Sequence, residues 1–243
     1  MPLSPTPSTD DGRRPLPVIV VTGMAFEARI ARGEGVEVVY AARADLLESA
    51  LSAAVARGCS GIISFGTAGG LAPDLEPGSL IVADAVEGPF GRLQTDRPWS
   101  DRLAAALAAG PLSARLRRGL MAAVTAPLVT AGDKDVLHRS NGALAVDMES
   151  HIAGAKAAAH GVPFAVCRAI VDPAWRTLPS AATAGLRDDG GTALGPILRE
   201  LMRQPSQLGA LIQVAVDARA ARISLVQARR AIGEAGALRV TIG

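Results

Sequence analysis

Four segments of this 243-residue chain carry side chains able to do chemistry. They are Glu27 in "MAFEA", the glycine stretch "SFGTAGGLAP" (Ser64–Pro73), Asp147 and Glu149 in "VDMES", and Asp172 at the end of "CRAIVD". The histidines His138, His151 and His160 and the cysteines Cys59 and Cys167 form no pair at metal-ligand spacing, so no metal or other cofactor is expected. Carboxylates and glycines without a metal suit proton transfer and hydroxyl recognition. Each segment also has a plainer reading. Glu27 can be a solvated helix residue, Glu149 a partner of a helix dipole, Asp172 a cap before Pro173, and the glycines a turn. The glycines fit neither G-x-G-x-x-G nor a phosphate-cradling P-loop, which argues against a dinucleotide.

Apolar runs supply the elements that must hold these residues. Val18–Thr22 and Val36–Ala42 read as strands, and Gly61–Phe65 as a third that delivers the glycine loop. Asp45–Arg57 reads as a helix, "PGSLIVADAV" as a turn and a strand, and Ser100–Ala109 as a helix capped by Ser100. "RGLMAAVTAPLVT" supplies a strand ending in "AGDKD" (Ala131–Asp135), "ALAVDMES" a strand entering a helix near Ser150, and "VPFAVCRAIVDP" a strand stopped by Pro173. The alternation predicts an α/β fold, a central mixed β-sheet flanked by helices, with ligands at the carboxyl ends of strands. The four segments fall at such ends. The reading gives a disordered leader over 1–15, a catalytic domain over 16–205 and a helical extension over 206–243.

Composition removes several function classes. Hydrophobic residues make up 49% and charged residues 20%, which excludes a disordered chain. Aromatic residues at 3% and a net charge of +2 leave no footprint for nucleic acid. No apolar run approaches the roughly 18 residues of a spanning helix. Arg13-Arg14 before "PLPVIVV" imitates a twin-arginine signal, but the strand reading of Val18–Thr22 implies a cytoplasmic protein. Both cysteines sit in or beside apolar runs and read as buried thiols. Leu208, Leu211, Ile212, Ala215, Val216 and Ile223 recur at helical spacing near several arginines. That segment reads as a helix docked on the core, or as one lying against lipid at the membrane periphery.

Taken in order, "SFGTAGGLAPDLEPGSLIVAD", "VDMES" and "VPFAVCRAIVD" resemble the nucleoside phosphorylase and nucleosidase superfamily, and its methylthioadenosine/S-adenosylhomocysteine nucleosidases in particular. "VDMESHIA", "VDPAWRTLPSAA" and "QPSQLGALIQVAVDARAA" are similar to the hopanoid-associated phosphorylases within it. The resemblance implies a homo-oligomeric enzyme that removes adenine from a nucleoside attached to a lipid, adenosylhopane. It makes Asp172 the acid that protonates N7 of the departing purine, which requires a raised pKa. Glu149 would accept the ribose hydroxyls, Met148 would pack on the ribose face and Glu27 would activate water. Gly66, Thr67, Ala68 and Gly69 would line the substrate, and Gly132 and Asp133 would belong to the loop that holds the base. Phosphorylases of the superfamily carry arginines where this chain has Glu27 and Ser64. An anionic phosphate beside Glu27 is disfavoured, which leans the reading toward hydrolysis. Arg29 or Arg168 as a grip on phosphate keeps phosphorolysis open, with phosphate as co-substrate, and a non-catalytic nucleoside binder is the third alternative.

Overall fold

The computed structural model describes residues 15–180, 199–200 and 202–240, so the leader expected over 1–15 lies, apart from Pro15, outside the described residues. In chain order the elements begin with β1 (Val18–Thr22), α1 (Ala25–Ala31), β2 (Val36–Tyr40), α2 (Ala44–Ala56) and β3 (Gly61–Gly70). Next come β4 (Leu80–Gly88), β5 (Gly91–Gln94), α3 (Arg97–Ala108), β6 (Leu116–Ala123) and α4 (Ala131–Asn141). The series ends with β7 (Ala145–Asp147), α5 (Ser150–His160), β8 (Phe164–Asp172) and α6 (Leu208–Glu234).

All eight strands join one mixed sheet in the order β2-β1-β3-β7-β6-β4-β5, and β8 pairs with both β3 and β4. Strands β3, β7, β6, β4 and β8 therefore close into a ring. Closure pairs the strands that carry the candidate residues on both sides, which satisfies their backbone groups without solvent. The all-buried pattern of β1, "VIVVT", follows from helices on both sides. Ile19 and Val21 pack with Leu47 and Leu51 of α2 and Ile152 and Ala157 of α5. Val18 and Val20 face the opposite cluster, with Trp99 and Leu103 of α3 and Ala221, Leu225 and Ala228 of α6.

Several boundaries differ from the sequence reading for identifiable reasons. The glycine stretch is not a loop, because β3 runs through it to Gly70, pairing in parallel with β8 and antiparallel with β7. Helix α3 starts at Arg97 with Asp96 as its cap, accepting from Trp99 N, and Ser100 lies wholly buried inside it. "AGDKD" is the first turn of α4, capped by the Thr130 side chain on Asp133 N. In α6 the buried face consists of Asp217, Ala221, Ser224, Leu225, Ala228 and Ile232, while Leu208, Ile212, Val216 and Ile223 are exposed. Trp99 Nε1 donates to Ala237 O (2.9 Å), tying the turn that follows α6 to α3. Among the described residues no helix is long and apolar enough to cross a membrane.

Candidate active site

Strand β8 is apolar except for two charges, Arg168 and Asp172, and the site is organised around them. Arg168 is 1% exposed and reaches four neighbours. Its Nε lies 2.9 Å from Asp147 Oδ2 and its Nη2 3.0 Å from Glu149 Oε2. It also donates to Ser64 Oγ (2.5 Å) and to Thr67 O (3.1 Å). Burial works against the guanidinium's charge, but Asp147, Glu149 and Glu27 more than restore it, so Arg168 is held firmly cationic. Asp147 is fixed in turn by Ser150, whose backbone N and Oγ both donate to it.

Glu27 enters this cluster from the first turn of α1 and is 1% exposed. Its Oε2 accepts from Gly23 N (3.2 Å) and Met24 N (3.0 Å). Its Oε1 accepts from Thr67 N (2.7 Å) and Thr67 Oγ1 (2.6 Å). Four donors fill the carboxylate's lone-pair directions, so Glu27 can serve an incoming water only through the Thr67 hydroxyl or by releasing it. Glu149 is the N-cap of α5 and makes no side-chain capping bond there; its carboxylate is paired with Arg168 instead. Burial pushes Glu149 up from 4.5 to about 7, the Arg168 guanidinium opposes this, and Asp147 and Glu27 add to it.

Each of the three expected carboxylates lies over a glycine, and this is what the glycines are for. A Cβ on Gly66 would sit 2.7 Å from Glu27 Oε2 and 2.8 Å from Arg168 Nη1, and one on Gly69 3.3 Å from Asp172 Oδ1. A Cβ on Gly23 would collide with Glu149 Oε1. At these three positions the missing side chains make room for carboxylates.

Asp172 stands apart from the Arg168 cluster. A bulge beside Ala68 displaces it so that it pairs with Gly69 at the end of β8. Its Oδ2 accepts from Lys134 Nζ at 2.5 Å. Burial pushes the Asp172 carboxyl up and the Lys134 ammonium opposes that rise. Lys134 is 0% exposed and comes from the first half of α4. Its two other bonds go to Pro173 O (3.1 Å) and Arg176 O (3.0 Å). Arg176 is anchored to Asp217 of α6 at 2.8 Å.

The structure thus gathers Glu27, Thr67, Glu149 and Arg168 in one cluster and sets Asp172 at its side. Met148 is half-buried beside Glu149, and Ala68 is buried between the two glycines. Gly132 and Asp133 fall elsewhere: Asp133 is exposed and bonded to the Thr130 hydroxyl. The neighbouring residue, Lys134, is the one that turns inward, and sequence reasoning missed it. Trp175 is 48% exposed and fills no core. Burial pushes Cys167 up to about 12, so it is a thiol and no nucleophile. A cavity of about 250 Å³ between Leu93, Gly154 and Phe164 lies elsewhere; its only ionisable lining residue is Asp96, which caps α3. Among the described residues no group of three or more His, Cys, Asp or Glu is placed to hold a metal.

The family model described as Phosphorylase superfamily matches residues 17–190, a span that contains Glu27, Thr67, Lys134, Glu149, Arg168 and Asp172. The chain belongs to the phosphorylase superfamily. It shares with nucleosidases and nucleoside phosphorylases the descent of enzymes that cleave N-glycosidic bonds. Among solved structures, a Helicobacter pylori 5′-methylthioadenosine/S-adenosylhomocysteine nucleosidase complexed with a substituted pyrrolidinol is similar at a TM-score of 0.63. Its identity is 15%, covering 92% of this chain and 99% of that one. An aspartate-to-asparagine variant of the H. pylori nucleosidase, with 5′-methylthioadenosine in its active site, gives 0.61 at 16% identity, covering 88% and 98%. The futalosine hydrolase of H. pylori gives 0.57 at 17% identity, covering 66% and 89%. At these identities the likeness is one of fold. No curated protein sequence matches the chain significantly.

Proposed function

We propose that this phosphorylase-superfamily enzyme hydrolyses the N-glycosidic bond of an adenine nucleoside. The observation that carries the reading is a division of labour on β8. A buried aspartate with a raised pKa stands at the strand end, and a separate carboxylate cluster is gathered round Arg168. Asp172 protonates N7, so that adenine leaves as a neutral base. Glu149 holds the ribose hydroxyls and favours the oxocarbenium-like sugar that develops, with Met148 on the ribose face. Glu27, working through the Thr67 hydroxyl, takes the proton of the attacking water. Gly66 and Gly69 leave room for these carboxylates to converge, and with Thr67 and Ala68 they line the substrate.

Hydrolysis is favoured over phosphorolysis by charge. Both buried lysine and arginine side chains among the described residues, Arg168 and Lys134, are already paired with carboxylates, and Arg29 is exposed. A phosphate entering beside Glu27 would meet uncompensated negative charge. The lipid-linked substrate, adenosylhopane, is supported by the "VDPAWRTLP" and tail motifs, and work at the membrane periphery by the tail's apolar residues; the homo-oligomer follows the superfamily, and the cytoplasm the strand reading of Val18–Thr22.

The test is adenine release from adenosylhopane and from 5′-methylthioadenosine, with and without phosphate, with products identified by mass. Release without phosphate, giving a free ribosyl product, is expected. Strict dependence on phosphate with a 1-phosphoribosyl product would make the enzyme a phosphorylase. Binding of the nucleoside with no adenine released would make it a binding protein.

A further inference from the structure

The ammonium that touches Asp172 is a departure from this chain's own habits. Of its 25 basic residues only two are lysines, Lys134 and Lys156; every other cation is an arginine. Lys156 lies half-buried on α5, and Lys134 is wholly buried. Lys134's three N–H groups are all engaged, by Asp172 Oδ2, Pro173 O and Arg176 O, so its position is fixed in three directions. The cage around it is itself braced. Leu178 N donates to Val129 O (2.8 Å), Ala131 N donates to Thr177 Oγ1 (3.2 Å), and Arg176 is held by Asp217. Asp172 retains 12% exposure of its side chain and Lys134 none, so a base meets Asp172 from the side away from the lysine.

We propose that Lys134 is the proton source of the site: it loads Asp172, which passes the proton to N7 of the purine. The proposal rests on the adenine nucleosidase reading above. The Lys134 Nζ–H bond breaks as the Asp172 Oδ2–H bond forms, converting ammonium and carboxylate into amine and carboxylic acid. A turn of the carboxyl about χ2 presents that O–H to the base. The proton moves to N7 as the C1′–N9 pair goes to N9, leaving a neutral purine, an ionised Asp172 and an uncharged Lys134. Water adds to C1′ and gives its proton to Glu27, and exchange with solvent discharges Glu27 and recharges Lys134. A buried amine and a buried carboxyl trade a proton readily, because low dielectric narrows the gap between the charged pair and the neutral pair. The other charged groups facing the pair are Asp217 from α6 and Arg176 from the segment after β8; each is committed to the other. An arginine at 134 would supply the charge but never the proton.

Two substrates separate this role from a merely structural one. Adenosine loses its base only with a proton, whereas p-nitrophenyl β-D-ribofuranoside loses phenolate without one. Lys134→Arg, which keeps the charge that opposes the Asp172 rise but gives no proton, is expected to lower adenine release by about a hundredfold; Lys134→Met, which leaves Asp172 to take its proton from solvent, is expected to lose less than Lys134→Arg, and p-nitrophenolate release stays within about threefold of wild type in both. The second substrate also reports that the site is folded, and Lys134→Arg carries the test if Lys134→Met does not fold. Equal loss on both substrates would make Lys134 a structural residue. Recovery of adenine release in Lys134→Arg would show that charge, not a proton, is supplied; either result overturns the proposal. Wild-type protein that releases no adenine would overturn the nucleosidase reading and this proposal with it.

Discussion

Two buried cations serve one strand, and they are not built alike. Arg168 rises from the middle of β8 into three acidic side chains, whereas Lys134 comes from α4 to meet a single carboxyl at the strand's end. A guanidinium cannot give up its proton and spreads its charge over several donors, so it suits a place where negative charge must stay put. An amine is a point charge that can be discharged. The contrast shows which part of the site holds geometry and which part moves a proton.

The sharpest way to break this comparison is to remove the fixed charge. Arg168→Met strands Asp147, Glu149 and Glu27 in the interior and is expected to cost about 3–5 kcal/mol of stability, read as a lower urea midpoint. A wild-type midpoint would mean that the acidic side chains do not depend on Arg168. Gly66→Ala comes next. Its methyl would press on Glu27 and Arg168 together, and overpacking of this kind costs about 1–3 kcal/mol. Thermal melts that leave Gly66→Ala unchanged would show that the cluster can yield. The effect confined to one pH range concerns Glu149, whose pKa in the fold stands at about 7 against an ordinary 4.5. Its raised value makes stability greatest below about pH 4.5 and lower as pH rises through 7. Glu149→Gln should flatten that decline, a difference of up to about 3 kcal/mol at neutral pH by calorimetry. A decline that persists in the variant would assign it to another group.

Much of this was legible in residue patterns, and the failures have physical causes. The β-branched runs of β1 and β8 predict strands because packing on both faces leaves no room for polar residues. The sequence reading takes Arg168 only as a substitute grip for phosphate and Ser64 only as a place where a phosphate-gripping arginine is absent, although a charge inside an apolar strand already demands buried partners. The glycines of β3 read as a loop because a sequence does not show that carboxylates from α1 and β8 will press on them. Helix α6 was read by its larger side chains, yet its alanines are what pack closely on the sheet, leaving Leu208 and Ile212 outside. Lys134 carries no local signal beyond the scarcity of lysine, since its partners lie 38 to 42 residues away.

Closure of β3, β7, β6, β4 and β8 into a ring also bears on how the sequence can vary. An open sheet absorbs an added residue by sliding one strand against a single neighbour, but here every slide must be passed round five strands and return in register. The interval between Arg168 and Asp172 therefore belongs to the whole ring. Added or deleted residues should be accepted in the β4–β5 hairpin at Phe90 and Gly91, which hangs outside the ring, and rejected anywhere within it.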